Sequence, residues 1–264
     1  MNFKGKTIWI TGASSGIGRA LAIAFSRHPV RLILSSRNED KLEETRMLCD
    51  VPDKVRVLPL DLAKTDTLKE RAEKAIDCFG GVDILVHNGG ISQRSLAAGT
   101  SLEVDRKIFE TNYFGTVCLT RSLLPHFMEK KSGQFVVITS VVGRIGTPMR
   151  SSYSASKHAL HGFFDSLRAE VHRDNIKVTL ICPGFVNTDV SVNALTGDGS
   201  RQGTMDKATA DGLSPQVFAR KALRVISAGK QEAVIGGSLE VLAVYVKRFF
   251  PLLLSRMIRK VDVT

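Results

Sequence analysis

Short runs of apolar, mostly β-branched residues alternate along the chain with longer amphipathic segments. The apolar runs predict seven strands, at 6–10, 31–35, 55–59, 83–87, 134–139, 177–182 and 232–236. The amphipathic segments predict helices near 17–27, 39–49, 65–79, 102–130, 152–173 and 215–228. Most of the strands are apolar on both faces, which is typical of a parallel sheet covered by helices on both sides. The pattern therefore predicts a doubly wound α/β fold.

This alternation continues without a break, and the sequence has no internal repeat and no linker rich in proline, glycine or serine. We therefore predict one domain over residues 1–264, a length that suffices for one full core. Two segments lie outside the alternation. Residues 189–213 are polar and contain glycine, which fits a lid over a substrate or a solvated loop. Residues 238–264 form an apolar and basic tail.

The charge balance limits the classes of partner. The formal net charge is +11, which favours anionic partners such as nucleic acid, lipid or a phosphorylated ligand. The cations are dispersed, however, without interleaved aromatic residues, and we predict no nucleic-acid partner. The six histidines show no metal-ligand spacing, so we predict no metal site.

The amino terminus and the cysteines bear on the compartment. The stretch "MNFKGKTIWITG" enters a strand at once and has the pattern of neither a signal peptide nor a transit peptide. The four cysteines include no CxxC pair, which fits reduced thiols. We predict a cytoplasmic protein, in which any peripheral membrane contact would come from the tail.

The turn after the first strand reads "TGASSGIG", at 11–18. In doubly wound sheets ligands bind beyond the carboxyl ends of the strands. Gly12 permits a tight turn, Gly16 lets the backbone approach a pyrophosphate, and Gly18 lets the next helix pack closely. The amino end of that helix presents N–H groups and a positive dipole end to phosphates. The turn predicts a dinucleotide site, although its spacing differs from the commoner G-x-G-x-x-G.

The end of the second strand predicts which dinucleotide is bound. NAD-binding folds usually place an acid there to hold the ribose 2′-hydroxyl, but this chain reads Ser35-Ser36-Arg37. Arg37 would pair with a 2′-phosphate, whereas the acids at 39–40 suit the first turn of a helix. We therefore predict NADP(H), with an ordinary surface arginine as the alternative.

Two further loops offer polar groups at the same edge of the sheet. Asp61, after the third strand, offers an acceptor for an adenine amino group. Asn88-Gly89-Gly90, after the fourth strand, permits close approach of the backbone and supplies an amide.

The stretch "YSASK" places Tyr153 and Lys157 one turn apart on one face of a helix. Reduction of a carbonyl needs a positioned acid, and the ordinary tyrosine pKa of about 10 is too high for efficient work near neutrality. An ammonium about 4 Å away, in an effective dielectric of about 20, would contribute roughly 4 kcal/mol and lower that pKa by up to roughly 3 units. The pair predicts a proton donor, with a solvated helix start as the alternative. Ser140 ends a buried strand and can act as an oxyanion donor.

In their order along the chain these segments resemble the short-chain dehydrogenase/reductase family, from about residue 5 to residue 237. The resemblance implies a Rossmann-type fold with a seven-stranded parallel sheet, hydride transfer on a carbonyl or alcohol, and often a homodimer or homotetramer. Members usually read Asn-Ala-Gly at 88–90, and the glycine found here removes no functional group. The match rests on "TGASSGIG", "DL" at 61–62, "NGG" at 88–90, "TNYFG", "VVITS", "YSASK" and "CPGFVNT" at 182–188.

The resemblance also implies roles for individual residues. The catalytic tetrad would be Asn112, Ser140, Tyr153 and Lys157, in which Asn112 anchors a water that links the lysine to solvent. From the sequence alone, Asn112 could equally cap a helix or a turn. The residues that bind the cofactor would be Gly12, Ser14, Ser15, Gly16, Ile17, Gly18, Ser36, Arg37, Asp61, Leu62, Asn88, Gly89, Gly90, Tyr153, Lys157, Pro183, Gly184, Val186 and Thr188.

The tail, residues 238–264, has apolar stretches too short to span a bilayer. It would either pack on a neighbouring subunit or over the active site, or lie in a membrane interface with its cations at the headgroups. The tail resembles membrane-associated branches of the family that act on lipid-like carbonyls, including those related to dehydrogenase/reductase member 7.

We expect an NADP(H)-dependent oxidoreductase that transfers hydride between nicotinamide and the carbonyl or alcohol of a hydrophobic small molecule. One alternative is a reductase of 3-oxoacyl thioesters on a carrier protein or coenzyme A, whose negative charge suits a basic protein. The alternative from another class is a non-catalytic NADP(H)-sensing or scaffold protein.

Overall fold

Seven parallel strands form one sheet in a computed structural model that describes residues 3–259. The ends of the predicted domain and of the predicted tail, at 1–2 and 260–264, lie outside the described residues. The strands follow the order β3-β2-β1-β4-β5-β6-β7. Their bounds are β1 (Thr7–Thr11), β2 (Arg31–Ser35), β3 (Val55–Val57), β4 (Ile84–His87), β5 (Gly133–Ile138), β6 (Ile176–Pro183) and β7 (Glu232–Ile235).

Ten α-helices connect and cover these strands within the described range. They are α1 (Gly16–Ser26), α2 (Glu39–Met47), α3 (Leu68–Asp77), α4 (Leu102–Phe109), α5 (Gly115–Glu129), α6 (Ser151–Glu170), α7 (Lys207–Ala210), α8 (Pro215–Ser227), α9 (Ser238–Phe249) and α10 (Pro251–Ile258). The seven predicted strands and the doubly wound fold are confirmed.

Side chains of the strands alternate between two cores, one on each face of the sheet. Ile8 and Ile10 point to a core closed by α1 and α8, where Phe25 and Phe218 are buried. Trp9, between the two isoleucines, points to the opposite core, closed by α3, α5 and α6. Burial on both faces explains why the strands read as continuous apolar runs.

Two predicted elements differ from those observed. The predicted helix over 102–130 is interrupted by a π-helical turn, Glu110–Phe114, between α4 and α5. The π turn keeps the helical direction, so the hydrophobic period gives no sign of it. The predicted strand over 55–59 ends at Val57, although the N–H groups of Leu58 and Leu60 still donate to the Leu34 and Ser36 carbonyls at 2.9 and 3.0 Å.

The strand order reverses between β1 and β4, which both lie at the centre of the sheet. Loops on the two sides of such a reversal turn apart and leave a crevice at the carboxyl ends of the strands. Among residues 3–259, no helix has the length and apolar character needed to cross a membrane.

Candidate active site

The turn between β1 and α1 forms a glycine cradle, in which a Cβ on any of the three glycines would approach neighbouring atoms to 3.0 Å or less. Gly12 has φ +66°, and a Cβ there would lie 2.8 Å from Gly89 Cα. A Cβ on Gly18 would lie 2.1 Å from the Gly12 carbonyl oxygen, so α1 packs directly on the turn. A Cβ on Gly16 would lie 3.0 Å from Thr188 Cγ2. The loops after β1, β4 and β6 therefore converge at the predicted phosphate site.

The amino end of α1 suits an anionic ligand. Ser15 is the N-cap residue, with an extended backbone and no capping hydrogen bond from its side chain. The carbonyl of Ser14 accepts a hydrogen bond from Arg19 Nη2 at 2.7 Å, and Ile17 packs against the core. A helix end without a side-chain cap, next to a glycine cradle, fits a pyrophosphate.

Asn88 ties the loop after β4 to the glycine turn. Its Nδ2 donates to the carbonyls of Thr11 and Gly12, at 3.1 and 3.2 Å. The backbone N–H groups of Asn88 and Gly89 both donate to Thr11 Oγ1 at 3.1 Å. A Cβ on Gly89 would lie 2.7 Å from Leu62 Cδ1, so the alanine usual in the family would displace the end of that side chain.

The residues predicted to hold the adenosine end lie after β2 and β3. Arg37 is exposed, and the partly buried Ser36 donates its hydroxyl to the Asn38 carbonyl at 3.3 Å. Asn38 caps α2, which puts the acids at 39–40 in the first helical turn, as predicted. Asp61 directly follows Leu60 and is partly buried. The side chain of Leu62 lies against Gly89.

The loop after β6 lies beside the cradle. Pro183 ends the strand, and the Gly184 N–H donates to the Ile235 carbonyl of β7 at 2.9 Å. Val186 is buried in the core next to α1. Thr188 reaches the glycine turn through its contact with Gly16. These positions suit residues that would hold the nicotinamide end.

Asn112 occupies the π-helical turn. Its Oδ1 accepts a hydrogen bond from the Ile91 N–H at 2.8 Å, and its Nδ2 donates to the Ile91 carbonyl at 2.9 Å and to Ser156 Oγ at 3.1 Å. These bonds join the loop after β4 to α6. The π turn, a feature frequent at functional sites, thus presents Asn112 to two other elements of the site.

Ser140, Tyr153 and Lys157 meet at the carboxyl end of β5. The side chains of Tyr153 and Ser140 are hydrogen-bonded to each other. Lys157 Nζ donates to the Ile138 carbonyl at 3.1 Å and lies 5.8 Å from the centre of the Tyr153 ring. A Cβ on Gly90 would lie 3.0 Å from Asn112 Oδ1 and 3.6 Å from Lys157 Nζ. The structure therefore brings all four predicted catalytic residues together.

Two arginines that we did not predict act on Tyr153 in addition to the neighbouring Lys157. Burial raises the pKa of Tyr153, and the positive charges that oppose this rise are Arg94 and Arg150, together with the hydrogen bond to Ser140. Burial also lowers the pKa of Lys157 to about 8. Lys157 Nζ is directed at the Ile138 carbonyl in this structure, and its predicted effect on the pKa of Tyr153 stays a prediction.

Gln93 is a positioning residue that the sequence did not reveal. It is fully buried, and its Oε1 accepts hydrogen bonds from the N–H groups of Ser152 at 2.9 Å and Tyr153 at 3.4 Å. These are amides of the first turn of α6, which have no partner within the helix. A glutamine 59 positions earlier in the chain gives no local signal of such a cap.

Residues 189–213 are anchored to the body of the protein. The Leu195 N–H donates to the Ser92 carbonyl, and the Arg94 N–H donates to the Leu195 carbonyl, at 2.9 and 2.8 Å. The Ser101 N–H donates to the Gly197 carbonyl at 2.9 Å. The segment includes the short helix α7. The use of residues 189–213 as a substrate lid stays a prediction.

The tail packs on the body with one face. Leu254 is buried against Val141 and Ile145, and Glu240 Oε1 accepts a hydrogen bond from the Phe185 N–H at 3.1 Å. These contacts concern one side of α9 and α10, and the choice between a subunit contact, a cover over the active site and a membrane interface stays a prediction.

A group of three possible metal ligands, not predicted from the sequence, lies where α6 meets β6 and β7. Ligand atoms of His161, Cys182 and Glu232 all lie within 4.8 Å of one another. The Glu232 carboxylate is paired with Arg144, and burial raises the pKa of the Cys182 thiol to about 11. Both features oppose metal binding, because a ligating thiol must lose its proton.

Comparison with known proteins defines the class. The short chain dehydrogenase family model matches residues 6–198. The chain is 46% identical over 240 residues to a dehydrogenase/reductase SDR family protein 7-like of Anopheles gambiae, covering 89% of this chain and 76% of that one. It is 43% identical over 253 residues to dehydrogenase/reductase SDR family member 7B of Mus musculus, covering 94% and 78%. The chain therefore belongs to the short-chain dehydrogenase/reductase family of oxidoreductases.

Solved structures agree with this assignment. A short-chain dehydrogenase from Streptomyces avermitilis superposes with a TM-score of 0.83 at 27% identity, covering 99% of this chain and 100% of that one. An alcohol dehydrogenase from Thermococcus sibiricus, complexed with 5-hydroxy-NADP, superposes with a TM-score of 0.75 at 25% identity, covering 89% and 97%. The predicted family, and the resemblance to relatives of member 7, are confirmed.

Proposed function

We propose that this protein is an NADP(H)-dependent reductase of carbonyl groups on hydrophobic small molecules, or the corresponding alcohol dehydrogenase. The observation that carries the proposal is that Ser140, Tyr153 and Lys157 lie together beside the glycine cradle. The bound nicotinamide would supply or accept the hydride. The protein's own residues supply the proton and position the oxygen that receives it.

Each residue of the tetrad has a task that suits its contacts. The Tyr153 hydroxyl donates a proton to the carbonyl oxygen as negative charge develops there. Ser140, which is hydrogen-bonded to Tyr153, donates a hydrogen bond to the same oxygen. Lys157 would hold the cofactor ribose, and Asn112 fixes the loop after β4 against α6.

The preference for NADP(H) is supported by Arg37, which is exposed directly beyond β2. The acids that follow are committed to the first turn of α2, so neither stands where NAD-binding folds hold the ribose 2′-hydroxyl. The similarity to the Thermococcus sibiricus alcohol dehydrogenase, whose structure contains 5-hydroxy-NADP, also supports this choice of cofactor.

A substrate panel tests the function. NADPH oxidation is followed by absorbance with medium-chain ketones, steroids, retinal and acetoacetyl thioesters. We expect turnover with apolar ketones that is lost in Tyr153→Phe. Preference for the thioesters would instead favour the 3-oxoacyl reductase, which the net charge of +11 also suits. Absence of turnover with intact NADPH binding would favour a non-catalytic sensor or scaffold.

The exposed face of the tail supports a peripheral contact with anionic membranes. Leu239, Leu242, Tyr245 and Phe249 are each at least half exposed and recur every three or four residues, so they form one stripe on α9. Leu252, Leu253 and Met257 continue the exposed apolar surface on α10. The exposed cations Lys247, Arg248, Arg256 and Arg259 lie in the same two helices or directly after them. Apolar surface bordered by cations suits an interface of anionic lipid; the predicted Lys260 lies outside the described residues.

Liposome binding tests this contact. The full chain should co-sediment with phosphatidylserine vesicles at low salt, and less with salt added. Replacement of Leu239, Phe249 and Leu252 by serine should abolish binding and leave turnover of a small ketone intact. Serine at Met47 and Leu48, also exposed, is the matched control. The contrary result is that the wild type fails to bind liposomes while the triple variant has half the molecular mass of the wild type. That result would assign the exposed surface of the tail to the interface of a homodimer or homotetramer.

A further inference from the structure

One side chain of the tail reaches the loop that follows β6. Glu240 lies in the first turn of α9 and is partly buried. Its Oε1 accepts a hydrogen bond from the backbone N–H of Phe185 at 3.1 Å. We call residues 184–188 the β6 loop, which we expect to hold the nicotinamide end of the cofactor. The tail is therefore attached to a loop of the candidate active site.

The Phe185 amide lies beyond the paired part of the sheet. β6 ends at Pro183, which pairs with Ile235, the last residue of β7. On the other side of β6, the pairing with β5 ends at Ile181. An amide beyond the ladder needs another acceptor, because an unpaired N–H away from water is costly. The Glu240 carboxylate supplies that acceptor, and a charged acceptor makes a stronger bond than a neutral one.

Two more contacts hold Phe185 against other parts of the site. Its carbonyl accepts a hydrogen bond from the Leu213 N–H at 3.0 Å, at the end of residues 189–213. Its ring centre lies 5.6 Å from the guanidinium carbon of Arg150, which directly precedes α6. The β6 loop is thus held by the segment predicted to cover the substrate, by the start of the helix that bears Tyr153, and by the tail. The attachment to the tail depends on one carboxylate, which can be replaced without changing the groups that make the other two.

The backbone near Glu240 leaves room for its carboxylate. A Cβ on Gly184 would lie 2.7 Å from Glu240 Oε1 and 3.0 Å from Gly236 Cα. Gly184 therefore has no side chain at the point where the carboxylate and the turn after β7 both approach the β6 loop. Close approach of this kind is a reason for glycine at a position. A larger residue there would displace the Glu240 carboxylate from Phe185.

A second explanation of Glu240 has to be separated from this one. An acid in the first turn of a helix stabilises that helix through the positive end of its dipole. That role requires the negative charge, whereas the bond to Phe185 requires an acceptor of the right length. The position of α9 and α10 does not depend on Glu240 alone, because Leu254 is buried against Val141 and Ile145. Substitution of Glu240 should therefore leave the tail attached to the body.

We propose that Glu240 is a positioning residue, which fixes the backbone of the β6 loop in the conformation that receives the nicotinamide end of the cofactor. It acts through the Phe185 amide. The consequence for cofactor binding rests on the proposed function, whereas the effect on the loop backbone does not. The tail would then contribute to binding of the cofactor as well as to any contact made by its exposed face.

Three substitutions separate the reach of the side chain from its charge. Glu240→Asp keeps the charge but is one carbon shorter, so its carboxylate falls short of the Phe185 amide. Glu240→Gln loses the charge but keeps the length and a carbonyl acceptor, and Glu240→Ala loses both. The proposal predicts that the aspartate variant behaves like the alanine variant and the glutamine variant like the wild type. A role in the helix dipole alone predicts the reverse.

Hydrogen exchange at the Phe185 amide, measured without cofactor, is the first measurement. Exchange should become at least about tenfold faster in Glu240→Asp and Glu240→Ala, the scale of a lost hydrogen bond to a charged group. In Glu240→Gln it should change by less than about fivefold, because a neutral acceptor remains. Glu103→Ala removes an exposed acid from the first turn of α4 and is the matched control, which should leave the exchange unchanged.

Binding of the cofactor and of its fragment is the second measurement. Adenosine 2′,5′-bisphosphate carries the phosphorylated adenosine end of NADPH but has no nicotinamide. In Glu240→Asp and Glu240→Ala the dissociation constant for NADPH should rise about tenfold, while that for the bisphosphate should change by less than about twofold. Calorimetry gives both constants. Equal weakening of the two ligands would mean that the substitution loosens the whole fold, and it would overturn the proposal.

The exchange measurement has its own contrary result. Exchange that follows the charge of the side chain rather than its length would assign Glu240 to the end of α9 alone and overturn the proposal. A wild type that does not bind NADPH would contradict the proposed function, and hydrogen exchange would still decide the role of Glu240 in the loop. Should Glu240→Ala fail to fold, Glu240→Asp and Glu240→Gln carry the same comparison.

Discussion

Tyr153 is fixed at both of its ends. Its backbone N–H lies 3.4 Å from Gln93 Oε1, and its side chain is hydrogen-bonded to Ser140. A proton donor has to stand within hydrogen-bond reach of the atom that receives the proton, so this double attachment serves general acid catalysis. The proposed function therefore gives the hydroxyl a chemical task separate from cofactor binding.

Replacement of Tyr153 by phenylalanine should therefore separate chemistry from binding. The variant loses only the hydroxyl, so turnover should fall by at least about 100-fold, the usual scale of general acid catalysis. NADPH affinity, measured by fluorescence titration, should change little. Tyr245→Phe, on the exposed side of α9, serves as the control. A Tyr153→Phe enzyme that keeps most of its rate would show that another group donates the proton.

Arg37 allows a test of cofactor choice. Arg37→Asp removes a partner for the 2′-phosphate and supplies an acceptor for a ribose hydroxyl, so NADPH should weaken and NADH should improve. A charged contact is worth roughly 1.5–3 kcal/mol, which corresponds to a change in preference of about tenfold or more. Dissociation constants for both cofactors provide the measurement. Arg27→Asp, exposed after the far end of α1, controls for net charge. A wild type that already prefers NADH contradicts the assignment.

At the scale of elements, α1 and α6 use their glycines in opposite ways. A Cβ on Gly18, in α1, would meet backbone at 2.1 Å, so this glycine permits the close approach of helix and turn. A Cβ on Gly162, in α6, would meet nothing within 4 Å, and the residue is exposed. Glycine in a helix without such a packing reason weakens the helix.

Alanine at these two positions should therefore change stability in opposite directions. Gly162→Ala should raise the free energy of unfolding by about 0.5–1 kcal/mol, the usual difference in helix propensity. Gly18→Ala should lower it by more than about 1 kcal/mol, because the backbone of the turn must move. Urea denaturation measures both changes. Equal effects of the two substitutions would mean that α1 does not pack on the turn as described.

At the scale of the whole molecule, the buried lysine of the candidate active site lowers the stability of the folded protein. Lys157 is 5% exposed, and burial lowers its pKa to about 8. In the unfolded chain the same side chain titrates near its ordinary value of 10.5. Between these pH values the unfolded chain holds a proton that the folded protein lacks, so stability rises with pH across this window. Below about pH 8, the folded protein bears the full cost of the buried charge.

Lys157→Met should accordingly stabilise the inactive protein. The gain at pH 7 should reach up to about 2 kcal/mol, after allowance for the Ile138 carbonyl that loses its donor. It should shrink as the pH rises from 8 toward 10.5. Unfolding in urea at pH 7 and pH 10 provides the comparison, with the exposed Lys64→Met as the control. A constant or negative effect across this range would show that the buried ammonium costs little.

Much of the architecture could be read from the sequence because the strands have to be apolar. Both faces of a parallel sheet are covered, so Ile8, Trp9 and Ile10 are all buried although they point to different cores. The π turn at Asn112 could not be predicted, because the one extra residue in this turn leaves the helical pattern on either side of it intact. The compartment, the oligomeric state and the substrate remain predictions.

The resemblance to the family implied the roles of Asn112 and Ser140 in the predicted tetrad, whereas the sequence by itself determined the order of the elements, the glycine turn and the pair of Tyr153 and Lys157. These features depend on local spacing, such as the four residues from Tyr153 to Lys157, and local spacing is what a linear pattern records. Only the tertiary structure decided which charges surround the proton donor. Arg94 and Asp206 are 112 residues apart and meet because separate loops end at the same edge of the sheet. Electrostatic effects depend on distance in space and on burial, so the acidity of Tyr153 is a property of the folded chain.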